Sequence, residues 1–109
     1  MSKYFPTPEE CNAHTIFPGV HIRSAALEKV MISVVDFEPD AVVEEHEHPH
    51  EQVGVLLSGK VQFFIGGEEK ILQPGDIWCI PGGVRHKVIA LDGPAMALDV
   101  FCPVREEYR

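Results

Sequence analysis

The segment Glu45-His-Glu-His-Pro-His-Glu-Gln52 carries His46, His48 and His50 at alternate positions, half of the six histidines in the chain. Side chains alternate sides along an extended backbone, so His46 and His48 project to the same face. Gln52 shares that parity if the strand runs on past Pro49. His86 follows the turn Pro-Gly-Gly-Val-Arg at 81–85 and approaches from another part of the chain. Neutral imidazole is the commonest transition-metal ligand, and three imidazoles suit Zn, Ni, Fe, Mn or Cu. A pair of alternate histidines fits equally a solvated acidic loop whose rings touch nothing. Glu47, His50 and Glu51 have the wrong parity to join the set, and His50 reads as a surface residue. His14 and His21 read as structural.

A second group lies in Ala95-Met-Ala-Leu-Asp-Val-Phe-Cys-Pro-Val-Arg105. As a strand it has one apolar face, Met96, Leu98, Val100 and Cys102. The other face carries Ala95, Ala97, Asp99 and Phe101. A carboxylate within an apolar strand is costly unless it is paired or hydrogen-bonded. Asp99 therefore fits two readings: an ion pair with Arg85 or Arg105, or an acid–base group facing a cavity.

These residues need a scaffold of short strands. Nine prolines and nine glycines leave no long helical pattern. Strands are predicted at 20–25, 30–37, 42–47, 51–57, 60–65, 68–72, 77–80, 86–90 and 95–101. Leu57-Ser-Gly-Lys60 and Ile65-Gly-Gly-Glu68 read as hairpin loops, and Gln73-Pro-Gly-Asp76 as a type II turn. Thr7-Pro-Glu-Glu10 reads as one helical turn. Residues 1–109 form a single domain, with 1–19 as an N-terminal arm. Many short strands at near-regular spacing indicate an all-β sandwich or barrel. Strands that are apolar on both faces, such as 53–57 and 96–101, require a covered outer surface, and a homodimer meets that need.

Formal net charge is −8, which argues against nucleic acid or an anionic membrane as partner. A small anionic ligand is not excluded, because a local cation overrides the global sign. No long apolar run reads as a membrane span or signal peptide, so a cytoplasmic location is expected. Cys11, Cys79 and Cys102 have no paired spacing. The last two lie in apolar runs and read as small buried hydrophobes, so neither a disulfide nor a catalytic thiol is expected.

The pattern His46-x-His48-x-x-x-Gln52, with Gly59 after six intervening residues, resembles the first motif of the cupin superfamily. Gly75, then Pro81-x-Gly83-x-x-His86, resembles the second. The resemblance implies a single-domain jelly-roll β-barrel (a double-stranded β-helix) with one divalent transition metal, Ni, Mn, Zn or Fe, held by His46, His48, Gln52 and His86. The chain departs from the usual pattern at Gln52, where Glu is the rule, at Asp40, where Gly is usual, and at Ala90, where Asn is usual. Four neutral ligands leave the cation's charge uncompensated, which strengthens it as a Lewis acid and favours anions.

His-Pro-His-x-Gln, Ser-Gly, Pro-Gly-Asp, Ile-Pro and Asp-Val-Phe-x-Pro-x-Arg-Glu together resemble a narrower group, the pectin-degradation protein family, over roughly Val30 to Tyr108. That resemblance implies linearisation of 4,5-unsaturated monouronates from pectin or alginate, with a small anionic sugar as substrate and Asp99, Phe101 and Arg105 in the active site. A metal-dependent dioxygenase and a non-catalytic sugar-binding barrel are the rival readings.

Overall fold

The computed structural model describes residues 4–109, which form ten strands and two short 3-10 turns. The strands are β1 (Asn12–Phe17), β2 (Val20–Ala26), β3 (Met31–Phe37), β4 (Val42–His46), β5 (Glu51–Ser58), β6 (Val61–Ile65), β7 (Glu68–Leu72), β8 (Ile77–Ile80), β9 (His86–Ala90) and β10 (Ala95–Cys102). They build a six-stranded sheet in the order β1-β2-β3-β10-β5-β8 and a four-stranded sheet in the order β4-β9-β6-β7. Every pairing is antiparallel. This is the all-β jelly-roll architecture expected from the sequence.

Period-two patterning drives the arrangement. In β10 the odd residues Ala95, Ala97, Asp99 and Phe101 are buried, and the even residues face outward. In β3 the buried set is Met31, Ser33, Val35 and Phe37. The inward sides of both sheets share one core that includes Ile22, Val35, Leu56, Val61, Phe63, Trp78 and Val88. Burial of such side chains contributes about 1.5–3 kcal/mol each and holds the sheets face to face.

The turns behave mostly as their residues dictate. Gly66 and Gly67 close the β6–β7 hairpin with φ of 56° and 88°. Asp76 Oδ2 accepts the Gln73 N–H at 2.8 Å, fixing the Pro-Gly turn before β8. Asp40 has φ 64°, a left-handed geometry that Gly adopts freely and Asp tolerates better than most residues.

Three expectations need correction. Ser58–Lys60 is not a hairpin loop, because β5 and β6 belong to different sheets and the segment crosses between them. Residues 12–17 do not merely form an arm: β1 pairs with β2 from Asn12↔Ser24 to Phe17↔Val20 and becomes the sheet edge. Cys79 and Cys102 are exposed rather than buried, since both fall on the outward parity of their strands. All three cysteines are free.

The outer face of the large sheet is apolar. Register places Ile32, Val100, Val53 and Cys79 in one lateral row, and Val34, Leu98, Val55 and Ile77 in the next. Ile77 is 69% exposed and Val53 46%, so this face is not covered within the described chain. Tyr4 and Pro6 border only its far side, beside Ala25, Ile32 and Val100.

Candidate metal centre and active site

The histidines converge because two irregularities turn them inward. Val43 pairs with Val88 and His46 with His86, three residues on β4 against two on β9. This bulge at Glu44–Glu45 reverses the parity, so that Val43 and His46 both face the interior although two residues, an even number, lie between them. β4 ends at His46, and the chain bends through Pro49 before β5 begins. His48 enters from that bend, and Gln52 from the first inward position of β5.

The second segment is tied to the first by backbone. Gly83 N–H donates to the His48 carbonyl at 2.8 Å. A Cβ on Gly82 would collide with the Pro49 carbonyl, so a glycine is needed where the turn meets the bend. The turn delivers His86 beside His46, with ring centroids 4.3 Å apart, and beside His48 at 4.9 Å. One ligand atom from each of the three histidines lies within 4.8 Å of the others.

Their hydrogen bonds fix which nitrogen is free. Nδ1 of His46 donates to Glu44 O at 2.9 Å, Nδ1 of His48 to His50 O at 3.0 Å, and Nδ1 of His86 to Val84 O at 2.9 Å. Each neutral ring then carries its lone pair on Nε2, the tautomer that backbone acceptors select in metal sites. Nε2 of His86 is buried with no hydrogen-bond partner. Nε2 of His48 lies 3.0 Å from Gln52 Oε1. Gln52 Nε2 donates to Asp99 Oδ1 at 3.0 Å, so its oxygen is the atom that faces the imidazole. Two acceptors held this close need a cation between or beside them. Ligands at about 2.1 Å from one metal, at right angles to each other, are themselves about 3 Å apart. The residues present therefore fit a divalent cation.

Burial lowers the pKa of His86 to about 4, with the neighbouring His46, His48 and Arg105 adding to the effect against the Val84 hydrogen bond. Burial also lowers that of His48. Both rings are thus neutral and ready to ligate near pH 7.

Asp99 sits beneath this cluster on β10. It makes no ion pair with Arg85 or Arg105. Instead, Trp78 Nε1 donates to its Oδ1 at 2.8 Å, and Gln52 donates to the same atom. Burial raises its pKa to about 6, against the opposing pull of those two hydrogen bonds and of Arg105. Arg85 pairs instead with Glu45 and Glu47 on the surface.

Phe101 packs edge-on against His48, with centroids 5.9 Å apart. Arg105 lies beyond the end of β10 and is buried. Its guanidinium sits 4.5 Å from the Tyr108 ring and 5.5 Å from that of Phe101. Its Nη2 donates to Glu107 at 3.0 Å, while Nε is buried without a partner. That hydrogen bond holds the Glu107 carboxyl below the usual range. His46, Gln52, His86, Asp99, Phe101, Arg105 and Tyr108 all line one interior cavity of about 40 Å³. By that measure the space admits two or three waters.

His46, His48, Gln52, His86, Asp99, Phe101 and Arg105 are therefore brought to one place. His50 departs from expectation: it is half-buried rather than on the surface, and its carbonyl anchors His48. His14 and His21 stay away from the cluster, and His21 pairs with Glu38 at 2.6 Å. Trp78, Tyr108 and Gly54 were not anticipated. A tryptophan in a short apolar strand did carry one signal, since a buried indole N–H seeks an acceptor.

Comparison with known proteins gives a consistent picture. The family model described as Cupin domain matches residues 33–101. The pectin degradation protein KdgF of Dickeya dadantii (strain 3937) is 29% identical over 80 residues, covering 72% of this chain and 73% of that protein. The structure of KdgF from Halomonas sp. is similar at a TM-score of 0.86 and 28% identity, over 97% of this chain and 98% of that one. An RmlC-like cupin from Shewanella frigidimarina NCIMB 400 matches at a TM-score of 0.89 and 25% identity, over 99% and 97% of the two chains.

Proposed function

This chain belongs to the cupin domain family, and from that premise we propose that it is a metal-dependent enzyme that linearises 4,5-unsaturated monouronates. The observation that carries the reading is the placement of Asp99, hydrogen-bonded through one oxygen only, directly below the three-histidine and amide cluster. The likeness to two KdgF proteins, one named for pectin degradation, supports the choice of substrate.

The substrate is a cyclic hemiacetal with a C4=C5 enol ether and a carboxylate. Ring opening removes the proton from the anomeric hydroxyl and breaks the bond from C1 to the ring oxygen. The electron pair goes to that oxygen, leaving an aldehyde at C1 and an enolate at C5. Delivery of the proton to C4 converts the enolate to the 5-keto acid, so the whole is an isomerisation with no redox change.

His46, His48, His86 and Gln52 would hold a divalent cation, which supplies Lewis acidity to substrate oxygens when bound. Asp99 takes the proton from the anomeric hydroxyl through Oδ2 and returns a proton at C4. Its elevated pKa, about 6, keeps it a base near neutrality that is still able to give the proton back. Arg105 offers its unpartnered Nε–H to the substrate carboxylate. Phe101 forms the wall against which the ring rests and keeps water from Asp99. A whole uronate exceeds the interior cavity. Its ring sits in the mouth, and its reacting edge reaches down to Asp99.

A second copy of the chain covers the apolar rows on the outer face of the large sheet, giving a homodimer. The anionic substrate enters from water, and no nucleic acid takes part.

The test is incubation of metal-loaded protein with unsaturated galacturonate under nitrogen. Loss of the conjugated double-bond absorbance without oxygen supports the isomerase. Turnover that requires oxygen and a redox-active metal favours a dioxygenase, and binding without turnover favours a sugar-binding module.

A further inference from the structure

The inner surface of the large sheet carries a lateral row that the reaction above does not by itself require. Asp99 on β10 pairs with Gly54 on β5, and Gly54 pairs with Trp78 on β8. Trp78 and Asp99 are thus two strands apart, roughly 9–10 Å by the ordinary spacing of a sheet. Their side chains nevertheless meet at 2.8 Å. The contact exists because the middle strand presents no side chain. A Cβ on Gly54 would overlap the indole of Trp78 and Oδ1 of Asp99. The glycine opens a slot, the indole lies across it, and the carboxylate is held from the far side.

One donor from this row and one from the neighbouring row Phe101, Gln52, Ile80 reach the same atom. Trp78 Nε1 and Gln52 Nε2 converge on Asp99 Oδ1. The indole is a donor only, so it fixes the carboxylate as acceptor. The carboxylate oxygen in turn requires an N–H from Gln52. An amide whose nitrogen is committed to Asp99 must turn its oxygen the other way, toward His48 Nε2. The direction of the Gln52 amide is therefore decided on the two strands that flank it, by Asp99 on β10 and by the only tryptophan in the chain on β8.

We infer that Trp78, Gly54 and Asp99 form a clamp that orients Gln52, so that its amide oxygen and not its nitrogen is offered to the metal. Trp78 and Gly54 are positioning residues, and they act through Asp99 on a ligand they do not touch. Without the clamp the amide is free to flip and present an N–H to a cation, which removes the fourth ligand. The inference rests on the reading of His46, His48, His86 and Gln52 as a metal site. It does not depend on the identity of the substrate.

The experiment is Zn2+ affinity by competition with a chromophoric chelator, on chelator-stripped protein, with folding checked by circular dichroism. Four variants are compared with wild type. Trp78→Phe keeps the ring and removes the donor. Asp99→Leu keeps the branched shape and removes the acceptor. Gly54→Ala fills the slot. Asp99→Asn keeps an acceptor oxygen for both donors and serves as the rescue. The expected dissociation constants rise about tenfold in the first three, as in other sites that lose an outer partner, and stay within about twofold of wild type in Asp99→Asn. A structural role alone would lower the melting temperature without this split between Leu and Asn. Folded Trp78→Phe and Asp99→Leu proteins that bind Zn2+ as wild type does would overturn the clamp while leaving the metal site intact. Equal weakening in Asp99→Asn and Asp99→Leu would also overturn it, since charge rather than orientation would then be responsible. Wild-type protein that binds no Zn2+ would overturn the metal reading and the clamp with it.

Discussion

Gln52 stands between two partners with opposite needs: its Nε2 donates to Asp99 Oδ1 at 3.0 Å, and its Oε1 faces His48 Nε2 at 3.0 Å. Only an amide serves both. A Glu at this position would ligate a metal well but would set two carboxylates about 3 Å apart, each wanting the other's proton. The departure from the usual cupin Glu is thus tied to the presence of Asp99. We expect Gln52→Glu to bind metal at least as tightly and to lose at least about tenfold in uronate conversion at pH 7, because the second carboxylate raises the pKa of Asp99 and keeps it protonated. Metal titration and the rate of absorbance loss check the two halves separately. An undiminished rate would mean that Asp99 is not the base.

Asp99→Asn separates binding from chemistry. The amide oxygen replaces Oδ1 as acceptor for Gln52 and Trp78, and no proton acceptor remains at Oδ2. The expected outcome is retained metal and fold with a fall of about a hundredfold or more in kcat and little change in KM. A kcat within threefold of wild type would remove Asp99 from the mechanism.

The pH profile should show one acid limb from this residue. Burial lifts Asp99 to about 6. The basic form is the ionised one, so activity falls as pH drops through the pKa. A bound cation stabilises the carboxylate and moves the midpoint down, never up. The limb in kcat/KM should therefore centre at or below about pH 6, with metal content measured at each pH. A midpoint above 7 would assign the limb to another group.

The apolar rows on the outer sheet predict a mass of twice 12.1 kDa by light scattering. Val53→Asp places a charge in the middle of the row Ile32, Val100, Val53, Cys79 and should give the 12.1 kDa monomer with the barrel still folded. A wild-type protein that runs as a monomer would leave that face without its proposed cover.

The sequence was most legible where period two applied without interruption. Alternation along β10 separated Asp99 and Phe101 from Met96, Leu98 and Val100, and each lies on its expected side. The metal cluster was legible for a less direct reason. Parity grouped His46 with His48, although β4 stops at His46 and a bulge at Glu44–Glu45 is what turns that residue inward. Local patterning carries no information on which sheet a strand joins, so Ser58–Lys60 read as a hairpin when it is a crossover. Asn12-Ala-His-Thr-Ile-Phe17 pairs through backbone at a sheet edge, where side chains give little apolar alternation to read. The Trp78–Asp99 contact was the least visible, because it depends on the lateral register of three strands and on the missing side chain of Gly54.

The most direct test is elemental analysis of metal-loaded protein, comparing wild type with the His46→Ala/His86→Ala double variant. The account predicts one divalent ion per chain in the first and none in the second, both proteins being folded. Full occupancy in the double variant, or an empty wild type after loading, would contradict it.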